Sequence, residues 1–182
     1  MKGLEMNTNP VSPVLPHEIP AAIITYWLGK INACKLPDGD IWAVKTLGFL
    51  IETLEAINTP TECWNTVANH TLSGTNYDFC HFHYTNLLAS LSPHTSAEVR
   101  ERIIERFVQR GEIEAAIRSA HPRKLRAEEI LLIADYHYEQ KTTSESIWDS
   151  ITTAAEALHP VSFDTIAHVD RAAAGLRVRV YK

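Results

Sequence analysis

Along most of this chain apolar residues recur at intervals of three and four, the spacing that lines up side chains on one face of a helix. Ile23, Ile24, Trp27, Leu28 and Ile31 make the first stripe, and Pro20 suits its first turn, where no amide donor is needed. A turn at Pro37-Asp38-Gly39-Asp40 follows, with Asp40 placed to cap the next helix. That helix, about residues 41–57, carries Val44, Leu47, Ile51 and Leu54 on one face. Trp42, Phe49 and Leu50 widen the face, which predicts a central place in the core.

Further on, Ala97–Arg110 sets Val99, Ile103 and Phe107 four apart against a face of Arg and Glu, with Gly111 as its stop. Shorter helices are predicted over 112–120 and about 127–140. Ile147, Ile151, Ala155 and Leu158 mark another, broken at Pro160. Ser162 can cap a last helix running to about Ala174, with Gly175 as its end. Three of these starts, Thr59-Pro60-Thr61-Glu62, Thr95-Ser96-Ala97-Glu98 and Thr142-Thr143-Ser144-Glu145, match the reciprocal hydroxyl–carboxylate capping box. The tail departs from the pattern. Leu176-Arg177-Val178-Arg179-Val180-Tyr181 alternates with period two and predicts a strand over 176–181. The fold expected is all-α: eight or nine short helices in one bundle, with that short C-terminal strand.

Composition places this bundle in one domain. The 182 residues, 45 % hydrophobic and 21 % charged, are enough to bury a core without metal or disulfide. Met1–Pro16, with three prolines, reads as an arm, either flexible or strapped over a partner, and 17–182 as the helical domain. Its opening lacks a basic region followed by an apolar run, so a secretory signal is not expected. Cys34, Cys63 and Cys80 form no CxxC pair, which favours a reducing compartment. The apolar stretches are too short or too charged to span a bilayer. A cytoplasmic protein without membrane contact is the expectation.

Charge changes the picture more. The net charge is −5, yet residues 97–126 carry a net +3 between two segments of −4 each. Within that band Arg118, Arg123, Lys124 and Arg126 flank His121-Pro122 and form the candidate site for an anion or an acidic partner, since guanidinium groups offer a planar fork of donors. Arg100, Arg102, Arg106 and Arg110, interleaved with Glu98, Glu101 and Glu105, read instead as a solvated, salt-bridged face.

Candidate chemistry is thin. In Asp78-Phe79-Cys80-His81-Phe82-His83, Asp78 and His81 would share a helix face, and with His70 or Cys63 a metal site can be drawn. The simpler reading is a partly buried helix with Cys80 in the core and histidines at its rim. Glu156 with His159 and Asp164 with His168 fit local helix electrostatics, because a di-iron bundle needs the Glu-x-x-His motif twice. No phosphate-cradling glycine loop and no nucleophile elbow occurs. No cofactor is called for.

These absences favour a non-enzymatic protein–protein interaction module, such as an inhibitor or neutralising partner, with another protein as partner and oligomeric state open. Two alternatives remain. One is a DNA-binding helix-turn-helix in 151–182, with Ser162–Arg171 as the reading helix and 176–181 as a wing. The other is a metal-dependent helical enzyme centred on Asp78, His81 and His83.

Overall fold

The computed structural model describes residues 18–34, 39–74, 81–158 and 163–180, with the backbone alone at 39–40, 81–82, 163–164 and 175–180. The expected arm Met1–Pro16 and Pro37-Asp38 of the expected turn lie outside them, while Gly39 and Asp40, expected as turn and N-cap, already belong to the first turn of a helix. Every regular element among the described residues is helical. In chain order these are α1 (Glu18–Ala33), α2 (Gly39–Glu55), α3 (Thr61–Ser73), α4 (His81–Leu91), a 3-10 turn (Ser92–His94), α5 (Ala97–Gln109), α6 (Ile113–Ala120), α7 (Ala127–Glu139), α8 (Glu145–Glu156) and α9 (Phe163–Val180).

The apolar periodicity of the sequence becomes one continuous core, from Ile24 on α1 to Val169 on α9. Leu47, Leu50 and Leu54 of α2, Leu88 of α4, Ile103 and Ile104 of α5, and Ile130 and Ile133 of α7 are wholly buried. Each such side chain contributes roughly 1.5–3 kcal/mol relative to exposure. Tyr84 joins them because its phenol donates to the Thr71 carbonyl at 2.7 Å, so no polar group is stranded. Contacts run in sequence through the molecule: α1 on α2 and α3, α3 on α4 and α5, α5 on α6 and α7, and α9 on α7 and α8. One predicted core residue stays outside. Phe49 is 54 % exposed, because α2 turns Leu47, Leu50 and Leu54 inward and leaves Phe49 on its outer edge.

Helix starts differ in detail from the capping boxes. Helices α3, α5 and α8 begin one or two residues later than the motifs imply, with Pro60, Ser96 and Ser144 as the flanking residues. Only Ser96 caps with its hydroxyl, accepting from the Val99 amide at 3.4 Å. Thr59 donates backwards to the Leu54 carbonyl at 2.7 Å, closing the end of α2 instead of opening α3. A cap the sequence reading missed opens α7, where the Glu129 carboxylate accepts from the Arg126 amide at 2.7 Å.

The C-terminal strand is not formed. Helix α9 passes through Gly175 and continues to Val180; Tyr181 lies outside the described residues. No strand is present among the described residues to pair with 176–180. Extending an existing helix gains one hydrogen bond per residue fixed, and that outweighs an alternating pattern with no partner. The wing of a winged helix-turn-helix is therefore absent from 176–180.

Candidate functional site

The positive band folds inward on itself. Arg123, in the loop between α6 and α7, lies between two carboxylates. Its Nε and Nη2 donate to Glu101 of α5 at 2.9 and 2.8 Å, while Nη1 and Nη2 donate to Glu129 of α7 at 3.0 Å each. Arg126 adds bonds to Glu129 at 2.6 and 3.1 Å and to Glu101 at 3.3 Å. The Glu129 side chain is only 7 % exposed. Burial pushes its carboxyl up, but the hydrogen bonds from Arg123 and Arg126 prevail and hold it below the usual carboxylate range. The hydrogen bond to Glu129, ahead of that to Glu101, raises Arg123 above an already high value. Two guanidinium groups and two carboxylates thus tie α5, the 121–126 loop and α7 together.

Three more cations of the band, Lys124, Arg106 and Arg100, reach backbone carbonyls at or just past helix ends. Lys124 Nζ donates to the Ala157 carbonyl at the end of α8, at 2.6 Å. Arg106 reaches the Leu72 carbonyl at the end of α3 at 3.0 Å, and Arg102 reaches Asn69 on the same turn at 2.9 Å. Arg100 donates to the Ser92 and Pro93 carbonyls just after α4, at 3.1 and 3.3 Å. The last carbonyls of a helix have no partner within it, and a cation there also meets the negative end of the helix dipole. On the face expected to be a solvated lattice of Arg–Glu pairs, Arg100 and Arg106 instead reach carbonyls of neighbouring elements and Arg102 the side chain of Asn69. Of the four candidate site residues, Arg123 and Arg126 are held by Glu101 and Glu129, Lys124 by the Ala157 carbonyl, and Arg118 sits exposed on α6.

The metal reading finds little to gather. Asp78 and Cys80 lie outside the described residues, and His81 is described by its backbone alone. His83 is exposed near the start of α4. His70 is half-buried on α3, and burial lowers its proton affinity. Burial, then the neighbouring Glu62, raises the Cys63 thiol above its ordinary value. Among the described residues no three His, Cys, Asp or Glu side chains stand together as a metal cage. His159, the partner foreseen for Glu156, is outside the described residues. His168 meets Asp135 of α7 at 3.0 Å across the α7–α9 contact.

Two features went unforeseen. The first is a cleft of about 660 Å³ between the α5–α6 turn, the end of α7 and the start of α8. Beside it, His137 is buried, with Nε2 2.7 Å from the Gly111 carbonyl and Nδ1 3.0 Å from the Thr142 hydroxyl. A carbonyl only accepts, so Nε2 carries the proton and, in the neutral ring, Nδ1 accepts from Thr142. Both ring nitrogens are thus committed, and His137 works as a brace. Arg110, Glu114, Gln140, Ser146 and Ser150 border the cleft with mixed charge.

The second is an aromatic ridge on the outer side of α1 and α2. Tyr26 is 57 % exposed and Phe49 54 %. Trp27 stands between them, edge-on to each, with ring centroids 5.2 Å from Tyr26 and 5.7 Å from Phe49. Lys30 covers part of Tyr26, its ammonium 5.5 Å from the ring centre. Placing Trp27 and Phe49 simply among apolar stripes hid this ridge. The signal in the sequence is that each stripe is wider than one buried face requires.

No helix among the described residues is long and apolar enough to cross a membrane. No known protein family, curated protein or solved structure matches the chain.

Proposed function

We propose that this chain is a non-enzymatic protein-binding module that meets its partner through the Tyr26–Trp27–Phe49 ridge. The observation that carries the reading is the ridge itself: three contiguous aromatic side chains, two of them more than half exposed. Leaving a large apolar side chain in water forgoes roughly 1.5–3 kcal/mol that burial would return. Tyr and Trp are also the residues on which interface energy concentrates. The net charge of −5 suits a basic partner, as an inhibitor or neutralising protein would have. A DNA partner fits less well, given that charge and the helical course of 176–180.

The test compares capture from native lysate by the wild-type chain, by Phe49→Glu and by Arg118→Glu. A stoichiometric partner should be retained by the wild type and by Arg118→Glu and lost by Phe49→Glu, with circular dichroism unchanged in all three. Capture indifferent to Phe49→Glu removes the ridge as the binding surface.

A further inference from the structure

Helix α1 carries a second apolar face. Pro20, Ile24, Leu28 and Ile31 are buried against the core. On the opposite side Ile19, Ala22, Tyr26, Gly29 and Ala33 are exposed and follow one another at alternating intervals of three and four. That alternation is the seam along which two helices pair. No charged residue interrupts α1 from Ile19 to Gly29, and Glu18 and Lys30 bracket that stretch. Gly29 is the odd member. Glycine inside a helix is less stable than alanine. Nothing in the protomer's own packing calls for it, since a Cβ at Gly29 would meet no atom within 4 Å. A helix laid on this face would use the glycine as a hole for a large side chain.

We infer that two copies of this chain pair through the outer face of α1, with the two helices antiparallel. The seam complements itself in that orientation. Antiparallel pairing centred at the level of Ile24 sets Ile19 against the partner subunit's Gly29, and Tyr26 against the partner subunit's Ala22. Each layer then meets large with small. The same pairing brings the Glu18 end of each helix beside the Lys30 end of the other and opposes the two helix dipoles. A parallel pair would set Glu18 beside Glu18 and Lys30 beside Lys30. The buried face of α1 points away from the seam, so the two bundles stand on opposite sides of the helix pair. From Ile19 to Ala33 the seam runs roughly 21 Å at about 1.5 Å per residue. A strip of that length, one helix wide, falls at the low end of specific interfaces, under about 1,200 Å² in total. The dimer is therefore reversible, with a Kd on the order of 10–100 µM. The inference goes beyond the reading of the ridge as a binding surface. Tyr26 belongs to both surfaces, but Phe49 stands on α2, off the seam.

The experiment is sedimentation of the full chain over a concentration range of about 1–500 µM, chosen to bracket that constant. The wild type should pass from monomer to dimer. Ala22→Glu and Gly29→Leu should each raise the Kd roughly tenfold or more, by adding charge or by filling the hole. Gly29→Leu separates pairing from folding, because it should weaken the dimer while the melting temperature of the dilute monomer holds or rises. Orientation is read by oxidising Ile19→Cys together with Gly29→Cys. The mixture should give a disulfide between the two variants, mapped by mass spectrometry, and neither variant alone should link to itself through its introduced thiol. A wild type that stays monomeric throughout overturns the proposal. So does an association indifferent to Ala22→Glu and Gly29→Leu, and so does self-linking of each cysteine variant, which marks a parallel pair. A monomeric chain that holds a different protein in an Ala22-dependent way assigns the face to that protein and also overturns it. Phe49→Glu should leave the Kd within about twofold, as a residue off the seam does. Loss of the dimer with Phe49-dependent capture intact therefore leaves the binding-module reading standing, and a dimer that captures nothing removes that reading alone.

Discussion

Glu129 carries the heaviest duty of any single side chain described. It accepts the Arg126 amide, both fork nitrogens of Arg123 and two of Arg126 while almost fully buried. Glu129→Gln keeps the shape and removes the charge that pairs with both guanidinium groups. Arg123 retains Glu101 and some solvent, so the expected cost is about 2–3 kcal/mol, below the roughly 3–5 typical of a fully buried broken pair. Urea denaturation with an unchanged m-value reads it directly. Gly111 is the second such residue. Its φ of +72° is a left-handed conformation, and a Cβ there would fall on the Tyr136 ring and 2.9 Å from His137 Nε2. Gly111→Ala therefore meets backbone strain and a clash together, and about 2 kcal/mol or more of stability should go. A melting temperature within a degree of wild type would show that the α5–α6 turn relaxes freely.

At the scale of elements, the frame is held by cations at helix ends. Lys124→Met keeps the aliphatic stem and loses the bond to the Ala157 carbonyl, which frees one helix terminus. A loss of about 0.5–1 kcal/mol follows, with faster amide exchange confined to the last turn of α8. Much of this level was legible beforehand. The stripes Val44–Leu54, Val99–Phe107 and Ile147–Ala155 set the helices, and Gly111 set a stop, because burial of one face is a local signal repeated many times. Cap chemistry was less legible. Thr59 and Thr142 have hydroxyls that serve equally as donors to a preceding helix or acceptors for the next one, and tertiary position chooses. The tail at 176–180 failed for a related reason: alternation says which faces differ, but only a neighbouring strand makes a strand.

For the whole molecule, pH and charge work through the same cluster. The folded Glu129 carboxyl lies below its unfolded value of about 4.3, so its stabilisation is fully present above that pH. It is lost as pH falls through the folded value. An acid titration of stability should accordingly show a steeper decline below about pH 4 in wild type than in Glu129→Gln. Parallel curves would mean that other carboxylates set the acid limit. The candidate site was the least legible part. A run such as Arg123-Lys124-x-Arg126 looks the same in one dimension whether its donors face a ligand or Glu101 and Glu129, which lie 22 residues before and six after Arg123. The ridge was hidden for the opposite reason, since an apolar residue written into a stripe is counted as core by default.

The square of Glu101, Arg123, Arg126 and Glu129 also constrains how this sequence can drift. Exchange of either arginine weakens the pairing of the nearly buried Glu129, and exchange of either acid leaves Arg123 with half of its carboxylate partners. Homologous chains should therefore vary these four positions as a set, either keeping two acids against two bases or replacing the group with apolar residues of similar volume. Position 118, which stands outside the square, should wander freely. The signature to look for is a fourfold co-substitution across 29 residues of chain, in place of invariance at any one of them.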